Sequence, residues 1–238
     1  PCIFVIHTLL IDLLKQTEEK YPDLVAGYSL GEYSALYASE VFDFEIGLKL
    51  IKQRAEIMNR APKGTMVALV GFNQKQLEYQ LKTTSHVWRV NDNSRMAIVA
   101  GTIAGVKSLL SKIAFKRIIP LDVSTAFHTP LLEAATAEFL SILESTQFSY
   151  AQIPFLSSME LVPILEPTRI KKNLIQQMTQ PIRWEAISRT IANSGVTKIV
   201  EIGSEQNLTS QMKRVCPGIE LVNISKIPTS SSFANTLI

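Results

Sequence analysis

The sequence predicts an α/β fold: a mostly parallel sheet covered by helices on both faces, with a small subdomain inserted into it. Three observations predict it. Short apolar runs alternate with helical patterns along most of the chain, the order that builds parallel sheets. A Gly-x-Ser-x-Gly turn, Gly27-Tyr28-Ser29-Leu30-Gly31, lies between such a run (Leu24, Val25, Ala26) and a helix-forming stretch from Glu32 to Ser39. Between Thr65 and Leu121 the elements come in the order β-α-β-β-α-β, the split ferredoxin-like motif.

Each element has its own signal. Apolar residues at Ile3, Ile6, Leu9, Leu10, Leu13 and Leu14 give the opening segment a helical period. Tyr21-Pro22-Asp23 breaks it and leads into the strand before Ser29. Asp43 is an N-cap for a long helix running to about Asn59 and carrying Arg54. Ala61-Pro62-Lys63-Gly64 ends that helix. The inserted unit then reads as strand 65–70, helix 74–82, strands 87–91 and 97–101, helix 106–114 and strand 117–121. Past Ala126-Phe127-His128-Thr129-Pro130 comes a helix with Leu131, Leu132, Ala135, Phe139, Leu140 and Leu143 on one face. Strand 153–156, helix 168–178, helix 184–194 stopped by Gly195, strand 198–201, helix 206–214 and strand 219–223 follow. The expected division is a discontinuous main domain (1–61 and 126–224), a small subdomain (62–125) and a Ser/Thr-rich tail or linker (225–238).

Composition narrows the function classes. At 238 residues, 46% hydrophobic and 19% charged, the chain buries a substantial core and is no disordered polymer. Its net charge of +3 comes from scattered basic residues, too weak a pattern for nucleic-acid binding but suited to an acidic protein partner. The cysteines, Cys2 and Cys216, lie far apart without metal-ligand spacing, so neither a zinc site nor a disulfide framework is expected, and a reducing, cytoplasmic setting is. The apolar opening lacks a basic n-region and a cleavage site, so it is not a signal peptide, and no run approaches a membrane span. Because the chain starts at Pro1 without methionine, an upstream part is expected to be missing.

The Gly-x-Ser-x-Gly turn carries the chemistry. A serine on so sharp a turn sits in a strained conformation, and both Gly27 and Gly31 are expected to lack side chains to avoid collision. The following helix points free N–H groups at the serine, where they stabilise developing negative charge. A serine nucleophile needs a base. Of the three histidines, His7 lies in an apolar helical run and reads as structural, and His86 falls in a turn of the small subdomain. His128, in a loop before a Pro-initiated helix, is the base candidate by elimination. Arg54 reads either as a solvated helix arginine like Arg60 or as a clamp for a substrate carboxylate. Glu32 reads as a first-turn glutamate favouring the helix N-terminus.

Several stretches together resemble the malonyl-CoA:acyl carrier protein transacylase family, which includes the acyltransferases of fatty acid and polyketide synthases. They are Gly27 to Leu36 (GYSLGEYSAL), Gln53 to Met58 (QRAEIM), Ala126 to Pro130 (AFHTP), Gln176 to Trp184 (QQMTQPIRW) and Val200 to Gly203 (VEIG), in the family's order. The wording is most similar to the free-standing type that serves polyketide assembly lines in trans, and the likeness extends to about residue 224. The resemblance implies an α/β-hydrolase-like main domain with the ferredoxin-like subdomain, and acyl transfer through an acyl-serine. Ser29 would be the nucleophile and His128 the base and then the acid. The main-chain carbonyl of Gln177 would orient the imidazole, and the Leu30 N–H would be an oxyanion donor. Arg54, with Phe127 and Tyr28, would bind a malonyl group, and Ala126-Phe127 resembles the malonyl-selective form of its motif. The implied partners are malonyl-CoA and a phosphopantetheinylated acyl carrier protein, with no cofactor, metal, nucleic acid or membrane.

The pattern departs from the family at Tyr28, where histidine is usual, at Ser157-Ser158 where Ser-Asn is frequent, at Ala97 where glutamine is common, and at Gly203-Ser204-Glu205 in place of Gly-Pro-Gly. The family's glutamine loop, source of a second oxyanion donor, would lie before Pro1, so these residues alone are expected to be weakly active or inactive. Two rival readings are an acyl hydrolase of the same fold that clears carrier proteins, and a non-catalytic docking domain.

Overall fold

The computed structural model describes residues 1–17, 21–203 and 207–225, so the expected tail from Lys226 and the Ser204-Glu205 departure lie outside the described residues. Helix α1 (Cys2–Thr17) buries Phe4, Leu10 and Ile11 and turns Ile3, Ile6 and Leu9 outward. Strand β1 (Val25–Ala26) leads through the Gly27–Leu30 turn into α2 (Gly31–Ala38). Asp43 caps α3 (Phe44–Arg60), its Oδ1 accepting the Ile46 N–H at 2.8 Å.

The inserted unit is β2 (Thr65–Val70), α4 (Gln74–Thr83), β3 (Val87–Arg89), β4 (Met96–Gly101), α5 (Ile103–Leu110) and β5 (Arg117–Pro120). Its strands pair antiparallel in the order β3-β4-β2-β5. The alternation of the strands decides the packing: Val67, Leu69, Ala97 and Val99 meet Leu77 of α4 and Val106 and Leu109 of α5 in a cluster of their own.

After a 3-10 turn at Pro130–Leu132 come α6 (Glu133–Ser145), β6 (Phe155–Leu156), β7 (Pro163–Ile164) and α7 (Pro167–Thr179). Then follow α8 (Trp184–Ala192), β8 (Lys198–Ile202), α9 (Asn207–Val215) and β9 (Glu220–Ile224). β1 pairs parallel with β6, and β8 with β9, while β7 runs antiparallel to β6. β7 was not expected; two residues carry no period by which a sequence reveals a strand. A cavity of about 570 Å³ lies between β1, β8 and the His7 face of α1. His7 is the structural histidine expected, with Nδ1 3.0 Å from Ser34 Oγ. The largest cluster joins α1, α2, α3, α6 and α7 through Phe4, Tyr33, Leu36, Leu50, Phe139 and Leu174. Among the described residues no helix is long and apolar enough to cross a membrane.

Two seams tie the four-stranded sheet to the rest. Where the chain enters and leaves it, Lys63 bridges Thr125, the Gly64 N–H donates to Ser124 O at 3.1 Å, and Thr125 Oγ1 donates to Pro62 O at 2.7 Å. Gly64 is required there, since a Cβ would stand 2.8 Å from the Ala126 nitrogen. This neck delivers Ala126-Phe127-His128 to the site. At the second seam both Asp92 carboxylate oxygens accept α8 N–H groups, from Glu185 and Ala186, at 2.8 Å each.

Candidate active site

Ser29 stands between β1 and α2 at φ 52, a left-handed conformation that a non-glycine residue holds only where its surroundings enforce it. Gly27 is one enforcing element: a Cβ there would lie 2.1 Å from the Gly31 carbonyl carbon and 2.2 Å from the Glu32 nitrogen. Gly31 is not the second. Among the described residues a Cβ on it meets nothing within 4 Å, because its open side faces the cavity beside β1, so among them the expectation that both glycines avoid collision holds for Gly27 alone. The α2 backbone closes on the turn, with Gly31 N–H donating to Tyr28 O at 2.9 Å and Glu32 N–H to Ser29 O at 3.1 Å. The Leu30 N–H, one residue ahead, has no backbone acceptor recorded among the described residues. It is therefore available to an oxyanion.

His128 reaches the turn from the neck, itself at φ 62. Its Nε2 lies 2.9 Å from Ser29 Oγ and its Nδ1 2.7 Å from the Gln177 main-chain oxygen. A carbonyl only accepts, so Nδ1 carries the hydrogen and Nε2 presents its lone pair to the serine hydroxyl. Burial lowers the imidazole pKa to about 4, with the Arg54 charge acting the same way and the Gln177 carbonyl opposing both. The ring is therefore neutral at physiological pH, the form a general base requires.

Arg54 is not a solvated helix arginine. It is 7% exposed, its guanidinium lies 5.6 Å from the Tyr33 ring centre, and Nη2 donates to Gln177 Oε1 over a long 3.5 Å. Its Nε is buried and has no hydrogen-bond partner among the described residues. By contrast Arg60, on the outward side of the same helix, pairs with Glu138 in solvent. A buried guanidinium with unused donors is what a carboxylate ligand satisfies.

Glu32 lies in the first turn of α2, as expected, but not in solvent. It is fully buried, and Oε1 accepts from Ser158 N–H at 3.3 Å and Ser158 Oγ at 3.1 Å. Burial raises its pKa to about 7, against the opposing pull of Ser158, Gln177 and the Arg54 charge. Ser158 is held in turn by Arg183, whose Nε donates to its carbonyl at 2.7 Å and whose Nη2 donates to Met159 O. Sequence reasoning missed this buried support. The available signals were Arg183 inside the Gln176–Trp184 stretch and the Ser157-Ser158 departure.

Phe127 packs at the meeting of two apolar clusters, one around Tyr33 and Phe155 and one around Met66 and Ala100. Tyr28 sets its ring edge-on to Trp184, centroids 6.0 Å apart, in the cluster of Leu156 and Ile182. Burial first, and the Asp92 carboxylate second, push its hydroxyl up to about 12. Tyr28 thus anchors the elbow through Trp184. Among the described residues no group of three or more His, Cys, Asp or Glu is placed to hold a metal.

The chain is similar to known proteins along most of its length. Residues 1–222 match the family described as the acyl transferase domain. The chain is 41% identical over 233 residues to the malonyl CoA-acyl carrier protein transacylase of Synechocystis, covering 98% of this chain and 79% of that protein. The crystal structure of the Synechocystis protein superposes with a TM-score of 0.91, over 95% of this chain and 78% of that one. A polyketide-biosynthesis malonyl CoA-acyl carrier protein transacylase of Bacillus subtilis is 32% identical over 90% of this chain and 77% of its own. A malonyl-transacylase solved in complex with its type II polyketide synthase acyl-carrier protein is 26% identical, with a TM-score of 0.89 over 98% of this chain and 78% of that one.

Proposed function

The chain belongs to the acyl transferase domain family, and from that premise we propose that Ser29, His128 and Arg54 together carry a malonyl group from malonyl-CoA to the phosphopantetheine thiol of an acyl carrier protein. One observation carries the reading. A serine–histidine–carbonyl relay of 2.9 and 2.7 Å shares Gln177 with a buried guanidinium that has donors to spare.

In the first half-reaction His128 Nε2 takes the Ser29 hydroxyl proton as Oγ attacks the thioester carbonyl. The Gln177 oxygen steadies the imidazolium through Nδ1–H, in place of the carboxylate of a hydrolase triad. The Leu30 N–H, at the positive end of α2, meets the oxyanion. The carbon–sulfur bond breaks, the proton on Nε2 passes to the departing thiolate, and an acyl ester remains on Ser29. The carrier thiol then attacks the ester while His128 accepts its proton, and Ser29 leaves with that proton. No cofactor enters the scheme. Arg54 holds the carboxylate of the malonyl group, and Phe127 closes the apolar side of the site. Residues 62–125 act as a subdomain whose neck aims His128, supported by their own cluster and the Lys63–Thr125 bridge. We assign the work to the cytoplasm, with the free thiols of Cys2 and Cys216 as support.

Incubation with malonyl-CoA followed by intact-mass analysis tests the reading. The protein gains one malonyl group and Ser29→Ala gains none; labelling of the alanine variant would overturn the assignment.

A further inference from the structure

At the second seam, where the turn between β3 and β4 meets α8 and α9, lies another cavity, of about 190 Å³. Ser29, Arg54 and His128 take no part in its walls. Glu185 and Arg189 stand one turn apart on α8, Gln211 and Arg214 one turn apart on α9, and Ser94 and Arg95 close it from the β3–β4 turn. That turn is firmly held. Asn93 is 7% exposed, and its Oδ1 accepts the Arg95 and Met96 N–H groups at 2.9 and 3.1 Å.

The cavity is rich in donors and short of acceptors. Its one carboxylate, Glu185, has both oxygens occupied: Oε1 accepts from Arg189 Nη2 at 2.9 Å, and Oε2 from the Ser94 N–H and Oγ at 3.0 and 3.2 Å. The guanidiniums of Arg95 and Arg214 have no hydrogen bond or ion pair among the described residues. Gln211 Oε1 accepts from Asn93 Nδ2 at 2.9 Å, which leaves its NH2 as a further donor. The start of α8 adds nothing, because Asp92 already takes the Glu185 and Ala186 N–H groups. Three guanidiniums against one carboxylate leave an excess of two positive charges around the cavity among the described residues. Like charges gathered from three elements repel, and a bound anion offsets that repulsion. A carboxylate supplies one charge and two oxygens in a plane. A phosphate group carries about −1.5 to −2 and presents three acceptor oxygens, which suits guanidiniums arriving from three sides.

We propose that this cavity is a phosphate-binding site, separate from the acyl site, in which Arg95, Arg189 and Arg214 hold the phosphate of a small molecule and so tie the inserted unit to α8 and α9. Trp184 forms part of its wall and the chain has two tryptophans, so Trp88→Phe leaves a single indole as reporter. Inorganic phosphate titrated into that protein at fixed ionic strength gives a saturable change in Trp184 fluorescence, and chloride gives none. Arg95→Ala and Arg214→Ala each weaken the apparent affinity about tenfold. Arg60→Ala, whose side chain pairs with Glu138 outside the cavity, leaves it unchanged.

If Trp88→Phe does not fold, a phosphate-dependent rise in the melting temperature of the unsubstituted protein, lost when Arg95→Ala and Arg214→Ala are combined, carries the same comparison. The two sources of such a phosphate separate in kinetics. A malonyl-CoA KM raised in both arginine variants identifies coenzyme A as the molecule that brings it, whereas an unchanged KM with phosphate binding lost identifies free phosphate. The absence of a saturable response, a response that survives both substitutions, or binding of polyglutamate in place of phosphate would each overturn the site.

Discussion

The four-stranded sheet and the floor beneath Ser29 are both buried, and they are built on opposite principles. On one face of the sheet Val67, Leu69 and Val99 pack with Leu77 of α4 and Leu109 of α5 in an apolar cluster. Its backbone polar groups are used by ladders that run six residues along β2 and β4. Beneath Ser29 the chain buries Glu32, Arg54, His128, Ser158 and Gln177. Among the described residues it leaves Glu32 Oε2, Tyr33 Oη and Arg54 Nε without hydrogen-bond partners, whereas the sheet region contributes only Arg89 Nε, in the last residue of β3. Unpartnered buried groups cost stability, and natural chains keep them where a ligand or a reaction uses them. The sheet stabilises the fold. The floor spends some of that stability on holding charge and hydrogen-bond direction.

The largest effect that tests this contrast is a cavity in the sheet. Leu69 is completely buried on β2, and Leu69→Ala should lower the unfolding free energy by about 3 to 4 kcal/mol in denaturant titration. The folded fraction should still react with a fluorophosphonate at close to the wild-type rate, because Leu69 reaches none of the relay atoms. A matching loss of Ser29 reactivity in molecules that remain folded would show that the two regions are one mechanical unit.

A second test titrates the floor. The folded pKa of Glu32 is raised to about 7 from an ordinary 4.5, so its contribution to stability is fully present below 4.5 and is lost as pH rises through about 7. The folded pKa of His128 is lowered to about 4 from 6.5, so its contribution is present above 6.5 and is lost as pH falls through about 4. Between these limits the two slopes oppose each other. Glu32→Gln removes the first and exposes the second, so from pH 7 to pH 4 the variant should lose roughly 2 to 3 kcal/mol more stability than wild type. Parallel pH curves for the two proteins would mean that Glu32 does not titrate on the floor. Leu69→Ala, by comparison, should shift the wild-type curve down without bending it.

The same contrast explains what the sequence revealed. The Asp43 cap, the Gly-x-Ser-x-Gly turn and the β-α-β-β-α-β order are local signals, written within a few residues or in a simple period, and the structure realises each of them. The relay could be inferred because resemblance supplied Gln177 and elimination supplied His128. The burial of Arg54 and Glu32 was not legible. It arises because α7 brings Gln177 to the end of α2, 148 residues after Ser29, and no local pattern around either charged residue records that meeting. On sequence grounds Arg54 and Arg60 look alike, six positions apart on one helix. Only packing separates the buried one from the solvated one. Gly31 shows the reverse error, a motif glycine whose assumed steric reason is absent among the described residues.

The smallest effect probes whether local signals stay local. Asn73 caps α4, its Oδ1 accepting the Gln76 N–H at 3.0 Å with no part in either seam. Asn73→Ala should cost about 1 kcal/mol of stability, the usual worth of a cap, and leave both the malonyl KM and the Ser29 labelling rate as they are. Asp92 is the informative contrast, since it performs the same capping chemistry across the second seam, on α8, and lies close enough to raise the Tyr28 pKa beside the nucleophile. If Asn73→Ala disturbed the kinetics as well, the sheet would be transmitting strain to the neck that carries His128. The separation between a stabilising region and a chemically committed one would then fail at its weakest point.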